Sequence, residues 1–243
     1  MRPAVFDRIA VPEETPAPGS RRPEASAPRI CRLPGVYAPQ GDTGLLLGQL
    51  RREELPPGAR SLDLCTGTGV LAVSASLRGA RATAVDVSRA AVASVRLNAL
   101  LYGCRVRAIR GDLDAPVRHE HFDLVTVNPP YVPSEDEAVP AHGARRSWDA
   151  GRDGRLVLDR ICARAPRLLA PRGVLLLVQS SLCGVSGTLD ALRGGGLRAR
   201  VVERVRRPFG PVMSGRAEWF AERGLVPPGT RTEELVVIRA VRP

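Results

Sequence analysis

Four consecutive residues, Asn128-Pro129-Pro130-Tyr131, follow an apolar run and have the types needed to position a planar amino group. Two adjacent prolines stiffen the backbone and remove two amide donors, which leaves carbonyl oxygens to face a cavity. The Asn128 side-chain oxygen and the Pro129 carbonyl could each accept a hydrogen from one NH2 group, while Tyr131 packs on its plane. This pattern favours chemistry at that nitrogen by positioning and dipoles. The alternative is a rigid turn with Asn128 as a helix cap.

A glycine-rich turn and three acids have the chemistry of a nucleoside site. The run Gly67-Thr68-Gly69-Val70-Leu71-Ala72 fits the loose Gly-x-Gly-x-x-Ala fingerprint, although any tight strand-to-helix turn can also need two glycines. Asp86 could accept both ribose hydroxyl hydrogens, and Asp112 could accept from an adenine amino group. Asp63, which precedes the glycines, would repel a pyrophosphate and favours a ligand with cationic groups. S-adenosylmethionine, which carries a sulfonium and an ammonium group, meets this description better than NAD.

Strands that alternate with helices must position these residues. Apolar runs bounded by turn residues predict strands at 61–65, 81–85, 105–109, 122–127, 173–179, 198–205 and 234–241. Helices are predicted at 44–52, where Asp42 and Thr43 are expected to form the cap, and then at 70–77, 88–102, 154–169 and 184–193. The alternation predicts an α/β fold with a doubly wound, mostly parallel sheet. Ligands of such sheets bind beyond the carboxyl ends of the strands, where all the candidate residues lie.

Charge and cysteine content bear on other classes of function. The chain has 36 basic and 25 acidic residues, a formal net charge of +11, and no Lys among its basic residues. An Arg-only excess indicates first a GC-rich genome and only second a polyanion-binding surface, and we expect the arginines mostly outside the candidate site. Aromatic residues, at 4%, are too scarce for a stacking platform. Five separated cysteines without a Cys-x-x-Cys pair predict reduced thiols and no metal site.

The domain organisation predicted from the sequence is one folded unit behind a leader. Residues 1–29 are rich in Pro, Ala, Glu, Ser and Arg and are predicted to be a disordered leader, with order beginning near Ile30. Residues 30–243 form the predicted domain, with a probable insertion at 206–231 that either shapes substrate choice or is a disordered loop. No apolar run approaches the ~20 residues that span a bilayer. We therefore expect a soluble, cytoplasmic protein with no membrane partner.

Three further groups of residues have less certain predicted roles. His142, in the loop after Tyr131, could line a path for the substrate. Arg152 and Arg155 lie at the beginning of a predicted helix, where cations oppose the helix macrodipole, so they are expected either to face the substrate or to anchor a loop. A cluster at Arg204, Arg206 and Arg207 could meet RNA or an acidic protein, or could simply be solvated.

Four motifs together resemble class I S-adenosylmethionine methyltransferases that act on exocyclic or amide nitrogens. They are Asp-Leu-Cys-Thr-Gly-Thr-Gly (63–69), Val-Asp-Val-Ser (85–88), Gly-Asp-Leu (111–113) and Asn-Pro-Pro-Tyr (128–131). Residues 36–43 are similar to the Val-Tyr-x-Pro-x-x-Asp-Thr opening of the short HemK/Mtq branch, the release-factor glutamine methyltransferases of eukaryotes and archaea. The resemblance implies a Rossmann-like sheet of seven strands with the last antiparallel. It also implies no N-terminal helical domain of the kind that grips the release factor in the longer enzymes.

The same resemblance implies roles for individual residues. The methionine end of S-adenosylmethionine would lie near Thr43, and its amino-acid part would be held by Asp63 and the turn of Cys65, Gly67 and Gly69. The ribose would be held by Asp86 with Val87, and the adenine by Asp112 with Leu113. Asn128 would touch both cofactor and substrate, and the substrate would also meet Pro129, Pro130 and Tyr131. Cys65 stands where a Gly is frequent.

We therefore expect an S-adenosylmethionine-dependent N-methyltransferase that acts on a protein glutamine amide, with a translation release factor as the expected partner. An adenine N6 methyltransferase acting on RNA or DNA is the alternative, because adenine presents the same planar NH2 group. A hypothesis of another class is a non-catalytic nucleic-acid-binding or scaffold protein that keeps the fold. The short relatives named by the resemblance work with a small zinc-binding activator, so an activating subunit is a further expectation.

Overall fold

The computed structural model describes residues 7–9 and 28–243. Its strands are β1 Asp7–Ile9, β2 Ile30–Arg32, β3 Arg60–Leu64, β4 Arg81–Asp86, β5 Val106–Arg110, β6 Phe122–Val127, β7 Leu169–Ser180, β8 Arg198–Pro208 and β9 Thr232–Val241. Its α-helices are α1 Gly41–Arg52, α2 Val70–Leu77, α3 Arg89–Leu101, α4 Leu156–Leu168, α5 Val185–Gly194, α6 Pro211–Ser214 and α7 Ala217–Glu222. Short 3-10 turns occur at Ala115–Val117, Ala144–Ser147 and Ser181–Cys183.

Seven strands form the main sheet in the order β5-β4-β3-β6-β7-β9-β8. Pairing is parallel from β5 to β7, whereas β9 runs antiparallel to both β7 and β8. This confirms the predicted α/β class, the seven strands and the antiparallel last strand. The order places β3 and β4 side by side with β6 on the far side of β3, so the ends of the strands that carry the candidate residues meet at one edge.

Helices cover both faces of this sheet. Helices α1, α2 and α3 contact one another in succession, and α4 contacts α5. In β7, Leu175, Leu176, Leu177 and Val178 are all fully buried, although successive side chains point to opposite faces of a strand. Continuous apolar runs of this kind are what a doubly covered parallel sheet requires. No helix within the described residues is long and apolar enough to cross a membrane.

A small antiparallel pair precedes the main sheet, in which Asp7–Ile9 pairs with Ile30–Arg32. Its second strand is held by the buried Asn98 of α3. The Asn98 side chain accepts from the Cys31 amide at 2.8 Å, donates to the Cys31 carbonyl at 2.8 Å and donates to the Thr68 carbonyl at 3.0 Å. The predicted disordered leader, residues 1–29, thus departs from the structure at Asp7–Ile9, because backbone pairing orders that strand. Residues 1–6 and 10–27 lie outside the described residues.

Helix α1 begins earlier than the sequence predicts. The expected cap at Asp42 and Thr43 is wrong, since Gln40 occupies the N-cap position and provides no side-chain cap hydrogen bond. Asp42 and Thr43 instead lie within the first turn, where both are buried. The side chain of Asp42 accepts from its neighbour's amide, with Asp42 Oδ1 2.6 Å from the Thr43 nitrogen. Because Gln40 and not these two residues occupies the N-cap, Asp42 and Thr43 can face the carboxyl edge of the sheet.

The predicted insertion at 206–231 is folded, so the alternative of a disordered loop is not what the structure shows. Strand β8 runs to Pro208, and the chain then forms α6 and α7 before β9 begins. Phe209, Met213 and Phe220 from this connection are buried in the core, with the two phenyl rings 6.0 Å apart in an edge-on arrangement. Apolar burial of this kind orders two helices that are too short to be stable alone.

Candidate active site

The carboxyl ends of β3, β4, β5 and β6 border a cavity of about 890 Å³. This volume is within the roughly 300–1,000 Å³ that small-ligand sites occupy. Most of the predicted site residues line it, namely Thr43, Cys65, Gly67, Asp86, Val87, Asp112, Leu113, Asn128 and Pro130. The structure does not bring Asp63, Gly69, Pro129 or Tyr131 to its wall.

The turn after β3 owes its shape to two glycines with different functions. Gly67 has φ +53°, and a Cβ built on it would meet no atom within 4 Å, so its lack of a side chain keeps the cavity floor open. Gly69 has φ +83° and lies at the start of α2, where a Cβ would lie 2.8 Å from Val95 Cγ2. The first glycine therefore serves the cavity, whereas the second serves the close packing of α2 on α3.

Asp63 lies beneath this turn and is buried. Its two carboxylate oxygens accept from the Thr66 hydroxyl at 2.5 Å and the Thr126 hydroxyl at 2.8 Å. Burial raises the pKa of Asp63 to about 7, against the two hydroxyl hydrogen bonds that lower it. Asp63 does not line the cavity, and its direct contact with a ligand stays a prediction. Asp63 instead ties the glycine turn to β6.

Cys65 and Leu113, both on the cavity wall, have left-handed backbones with φ +54° and +50°. That conformation favours glycine, which gives a physical reason for the Gly frequent at the Cys65 position. Burial raises the pKa of the Cys65 thiol well above its usual value, and the nearby carboxylates of Asp86 and Asp63 act in the same direction. Cys65 therefore stays a neutral thiol at physiological pH.

Asp86, at the end of β4, is one of the carboxylates that line the cavity. Its Oδ2 accepts from the Gly67 amide and its Oδ1 from the Ser88 amide, each at 2.9 Å. Burial raises the pKa of Asp86, while these amides and the Arg146 guanidinium oppose the rise. Each oxygen still has a second lone pair for a hydroxyl hydrogen. The role of Asp86 in binding a ribose stays a prediction.

Asp112 follows β5 and forms an ion pair with an arginine of α4. Its Oδ2 lies 2.5 Å from Nη2 of Arg160, a residue of α4 that also lines the cavity. Leu113, which comes next, is buried and supplies an apolar surface beside that carboxylate. An acceptor next to an apolar wall suits the edge and face of a purine ring.

Asn128, at the end of β6, is oriented by α1. Its Nδ2 donates to the Thr43 hydroxyl at 3.1 Å, and that hydroxyl lies 3.2 Å from Asp42 Oδ1. The Tyr131 hydroxyl donates to Asp42 Oδ2 at 3.1 Å, and the ring is 9% exposed. Tyr131 therefore anchors the motif to α1, and its packing on a substrate plane stays a prediction.

The segment after Tyr131 supplies cavity residues that the sequence did not single out. The segment contributes His142, whose place on a substrate path was expected, together with Val139, Ala141, Gly143, Ala144, Arg146 and Ser147. Gly35, Val36 and Tyr37 line the cavity from the other side. Among the arginines of the described residues, Arg110, Arg146 and Arg160 alone line the cavity, which confirms the expectation that the arginines lie mostly outside the site.

Other arginines anchor the loops around the site. Arg155 donates to the carbonyls of Cys183 and Gly184 and to the Thr188 hydroxyl, which confirms the loop-anchoring role expected for it. Arg152 forms an exposed ion pair with Glu137.

The β8–β9 connection is tied to the same region by a buried carboxylate. Asp149 is fully buried, with Arg145 Nε at 2.7 Å from one oxygen and Arg216 Nη1 at 2.6 Å from the other. Arg216 also donates to the Pro133 carbonyl at 2.9 Å. This Asp149–Arg216 contact joins the start of α7 to the chain that leaves Tyr131.

Comparison with known proteins gives three informative matches. The family model described as the methyltransferase small domain matches residues 28–143. A Methanocaldococcus jannaschii protein named as a protein N5-glutamine methyltransferase is 32% identical over 185 residues, which cover 74% of this chain and 90% of that protein. The release factor glutamine methyltransferase of Deinococcus radiodurans is 40% identical over 139 residues, 55% of this chain, and the match spans about half of that protein, 49%.

A solved structure shares the fold. The E. cuniculi Mtq2–Trm112 complex, described as responsible for methylation of the eRF1 termination factor, matches with a TM-score of 0.58 at 24% identity. The match covers 86% of this chain and 99% of that one. At this level of identity the likeness concerns the arrangement of strands and helices.

Proposed function

The chain belongs to the protein N5-glutamine methyltransferase family, and we propose that it transfers a methyl group from S-adenosylmethionine to the side-chain amide nitrogen of a glutamine in a protein. One observation carries the proposal. Asn128 lies on the same cavity wall as Asp86, with its amide nitrogen already bonded to Thr43. A carboxylate for a ribose and an amide oxygen for an acceptor NH2 group thus share one site.

The residues present fit S-adenosylmethionine. Gly67 leaves open space where a side chain would stand, Asp86 offers two oxygens, and Asp112 with Leu113 offers a polar edge beside an apolar wall. Asp86 and Asp112 offer acceptors for the hydroxyl and amino hydrogens of a nucleoside, and Arg110, Arg146 and Arg160 stand on the same cavity wall. When bound, S-adenosylmethionine supplies an electrophilic methyl group.

The chain's own residues perform the rest by positioning. Asn128 Oδ1 accepts a hydrogen from the glutamine amide and so turns its NH2 group toward the methyl group. The bound cofactor would supply the methyl group and leave as a neutral thioether. The amide nitrogen would lose its proton to water only after it has gained the methyl group, so no strong base is needed among these residues before the attack. Positioning and fixed dipoles account for the rate enhancement in such a site.

A translation release factor is the protein substrate that we propose, supported by the name of the Deinococcus relative. The test is incubation of the purified chain with labelled S-adenosylmethionine and a release factor, followed by mass spectrometry. We expect one methyl group on a glutamine side chain. Label that nuclease releases would support adenine methylation instead, and a chain that binds no S-adenosylmethionine would support a non-catalytic role. An activating subunit stays a prediction, tested by whether turnover of the isolated chain rises on adding cell extract.

Replacement of Asn128 tests the mechanism. We expect Asn128→Ala to bind S-adenosylmethionine nearly as the wild type does, because Asp86 and the glycine turn are unchanged. Transfer should fall at least about 100-fold, as expected when a donor or acceptor that acts on the reacting group is removed. Turnover within a few-fold of the wild type would contradict the mechanism.

A further inference from the structure

A chain of side-chain hydrogen bonds links α1 to the reacting end of the cavity. It runs from Asp42 to Thr43, both in the first turn of α1, and on to Asn128 at the end of β6. Asp42 is 7% exposed and Thr43 is 6% exposed, so water competes little for these bonds. This series of hydrogen bonds therefore holds the Asn128 side-chain amide in a defined orientation.

The direction of each bond follows from the groups involved. A carboxylate oxygen only accepts, and Asp42 Oδ1 receives the Thr43 amide at 2.6 Å and the Thr43 hydroxyl at 3.2 Å. A threonine hydroxyl has one hydrogen, which this contact commits to Asp42. Toward Asn128 the same hydroxyl can then only accept. The group that meets it must be Nδ2, which leaves Oδ1 for another partner.

A second bond holds Asp42 from the opposite side. The hydroxyl of Tyr131 donates to Asp42 Oδ2 at 3.1 Å, so both carboxylate oxygens are engaged and the carboxylate cannot turn freely. Asn128 and Tyr131 are the first and last residues of the same four-residue motif. Both ends of that motif are thus fixed to neighbouring residues of α1.

We propose that Asp42 is a positioning residue that acts through Thr43. It keeps Oδ1 of Asn128, and not Nδ2, directed at the side-chain amide of the substrate glutamine. This inference rests on the proposed function. An acceptor oxygen pairs with the NH2 of an amide, whereas it repels a carboxylate. A flipped Asn128 would present its own NH2 and would pair with a carboxylate instead. The Asp42–Thr43 pair therefore sets the preference for glutamine over glutamate.

The test uses two substitutions of Thr43 that differ in the hydroxyl. Thr43→Val keeps the shape and removes the acceptor for Nδ2, while Thr43→Ser keeps the hydroxyl. At saturating S-adenosylmethionine we expect kcat to fall about 10- to 100-fold in Thr43→Val and to recover mostly in Thr43→Ser, as loss of one well-placed polar contact implies. Saturation with S-adenosylmethionine, checked by calorimetry on each variant, keeps any change in cofactor affinity out of the comparison of kcat values.

A second readout separates orientation from general damage. A peptide of the substrate with glutamate in place of the target glutamine serves as an inhibitor. We expect the ratio of its inhibition constant to the glutamine peptide's KM to fall about tenfold in Thr43→Val, because a freely turning amide can donate to the carboxylate. Loss of turnover with an unchanged ratio would overturn the inference.

Variants of Asp42 keep the inference testable if Thr43→Val folds poorly. Asp42→Asn retains one accepting oxygen for Thr43 and should therefore retain more turnover than Asp42→Ala. In Asp42→Ala, the ratio of the glutamate peptide's inhibition constant to the glutamine peptide's KM should fall as it does in Thr43→Val. Equal turnover in the two variants would overturn the inference. If all of these variants match the wild type while Asn128→Ala is inactive, the positioning role fails and the proposed function stands. If Asn128→Ala is active, the proposed function itself fails.

Discussion

At the strand ends, residue type predicts the chemistry of a side chain but not the direction in which that side chain points. The sequence placed Asp63, Asp86 and Asp112 at successive strand ends, and the structure confirms those positions. Only Asp86 and Asp112 face the cavity, because the side chain of Asp63 turns back to the hydroxyls of Thr66 and Thr126. Residue spacing along one strand does not contain that information, since hydroxyl partners on β6 are needed to hold a buried carboxyl.

Removal of the Asp86 carboxylate should weaken binding of S-adenosylmethionine. Loss of a charged acceptor costs about 1.5–3 kcal/mol, which is on the order of 10- to 150-fold in Kd. Calorimetry on Asp86→Ala measures it directly. Asp123→Ala is the matched control, because Asp123 lies at the opposite end of β6, where it accepts from the Arg60 amide at 2.7 Å. Equal affinity in the two variants would remove Asp86 from the site.

Asp63 should make the protein's stability depend on pH. Its folded pKa of about 7 is raised from the ordinary 3.8, so the folded state binds more protons than the unfolded state between these values. The free energy of unfolding therefore falls as pH rises from about 4 to about 7 and levels off above. In Asp63→Asn this contribution disappears, and urea denaturation should show the variant gaining stability relative to the wild type across that window.

Glu233 offers a control for the pH dependence, because burial also raises the pKa of that carboxyl to about 7. Glu233→Gln should remove its own share and leave that of Asp63. Parallel pH profiles for the wild type and Asp63→Asn would show that Asp63 ionises normally in the folded protein.

At the scale of elements, the periodic strands and helices of the main sheet were predictable and the small ones were not. Each of the seven strands carries its apolar residues within its own short segment, so it can be predicted without knowing its partners. Helices α6 and α7 have four and six residues, too few for a helical period to show. The β1–β2 pair joins segments about twenty residues apart, and its partner choice is not a local property.

The packing of α2 on α3 can be tested at Gly69. Gly69→Ala would place a methyl group 2.8 Å from Val95 Cγ2 and an L-residue at φ +83°. We expect a loss of about 2–4 kcal/mol in the free energy of unfolding. Gly48→Ala, in the middle of α1 with no atom within 4 Å of the new Cβ, should instead gain about 0.5–1 kcal/mol. Losses of similar size in both variants would contradict the packing argument.

Across the whole molecule, arginines link elements that are far apart in sequence. Arg160 joins α4 to the end of β5, and Arg216 joins α7 to the chain leaving Tyr131. Composition alone pointed to genome bias and gave no reason to place any arginine at the site. Such pairs span tens of residues, so neither their existence nor their partners can be predicted from local pattern.

The Asp149–Arg216 ion pair should couple the β8–β9 connection energetically to the segment that follows Tyr131. We expect Arg216→Met to lower the free energy of unfolding by about 1–3 kcal/mol, because the fully buried Asp149 carboxylate loses one of its two cationic partners. A double-mutant cycle with Asp149→Asn should give a coupling energy of about 0.5–3 kcal/mol, measured by urea denaturation. Additive effects of the two substitutions would show that the two residues are not coupled.

Asn98 makes the N-terminal strand pair a reporter of the cavity. One amide side chain holds both the Cys31 backbone and the Thr68 carbonyl in the glycine turn. Exchange of the Cys31 amide hydrogen with solvent requires that bond to open, and a ligand bound only to the closed turn makes opening rarer in proportion to its occupancy. Protection of this one amide against deuterium exchange therefore titrates the proposed S-adenosylmethionine site. The signal is read at a strand that contributes no residue to the cavity wall.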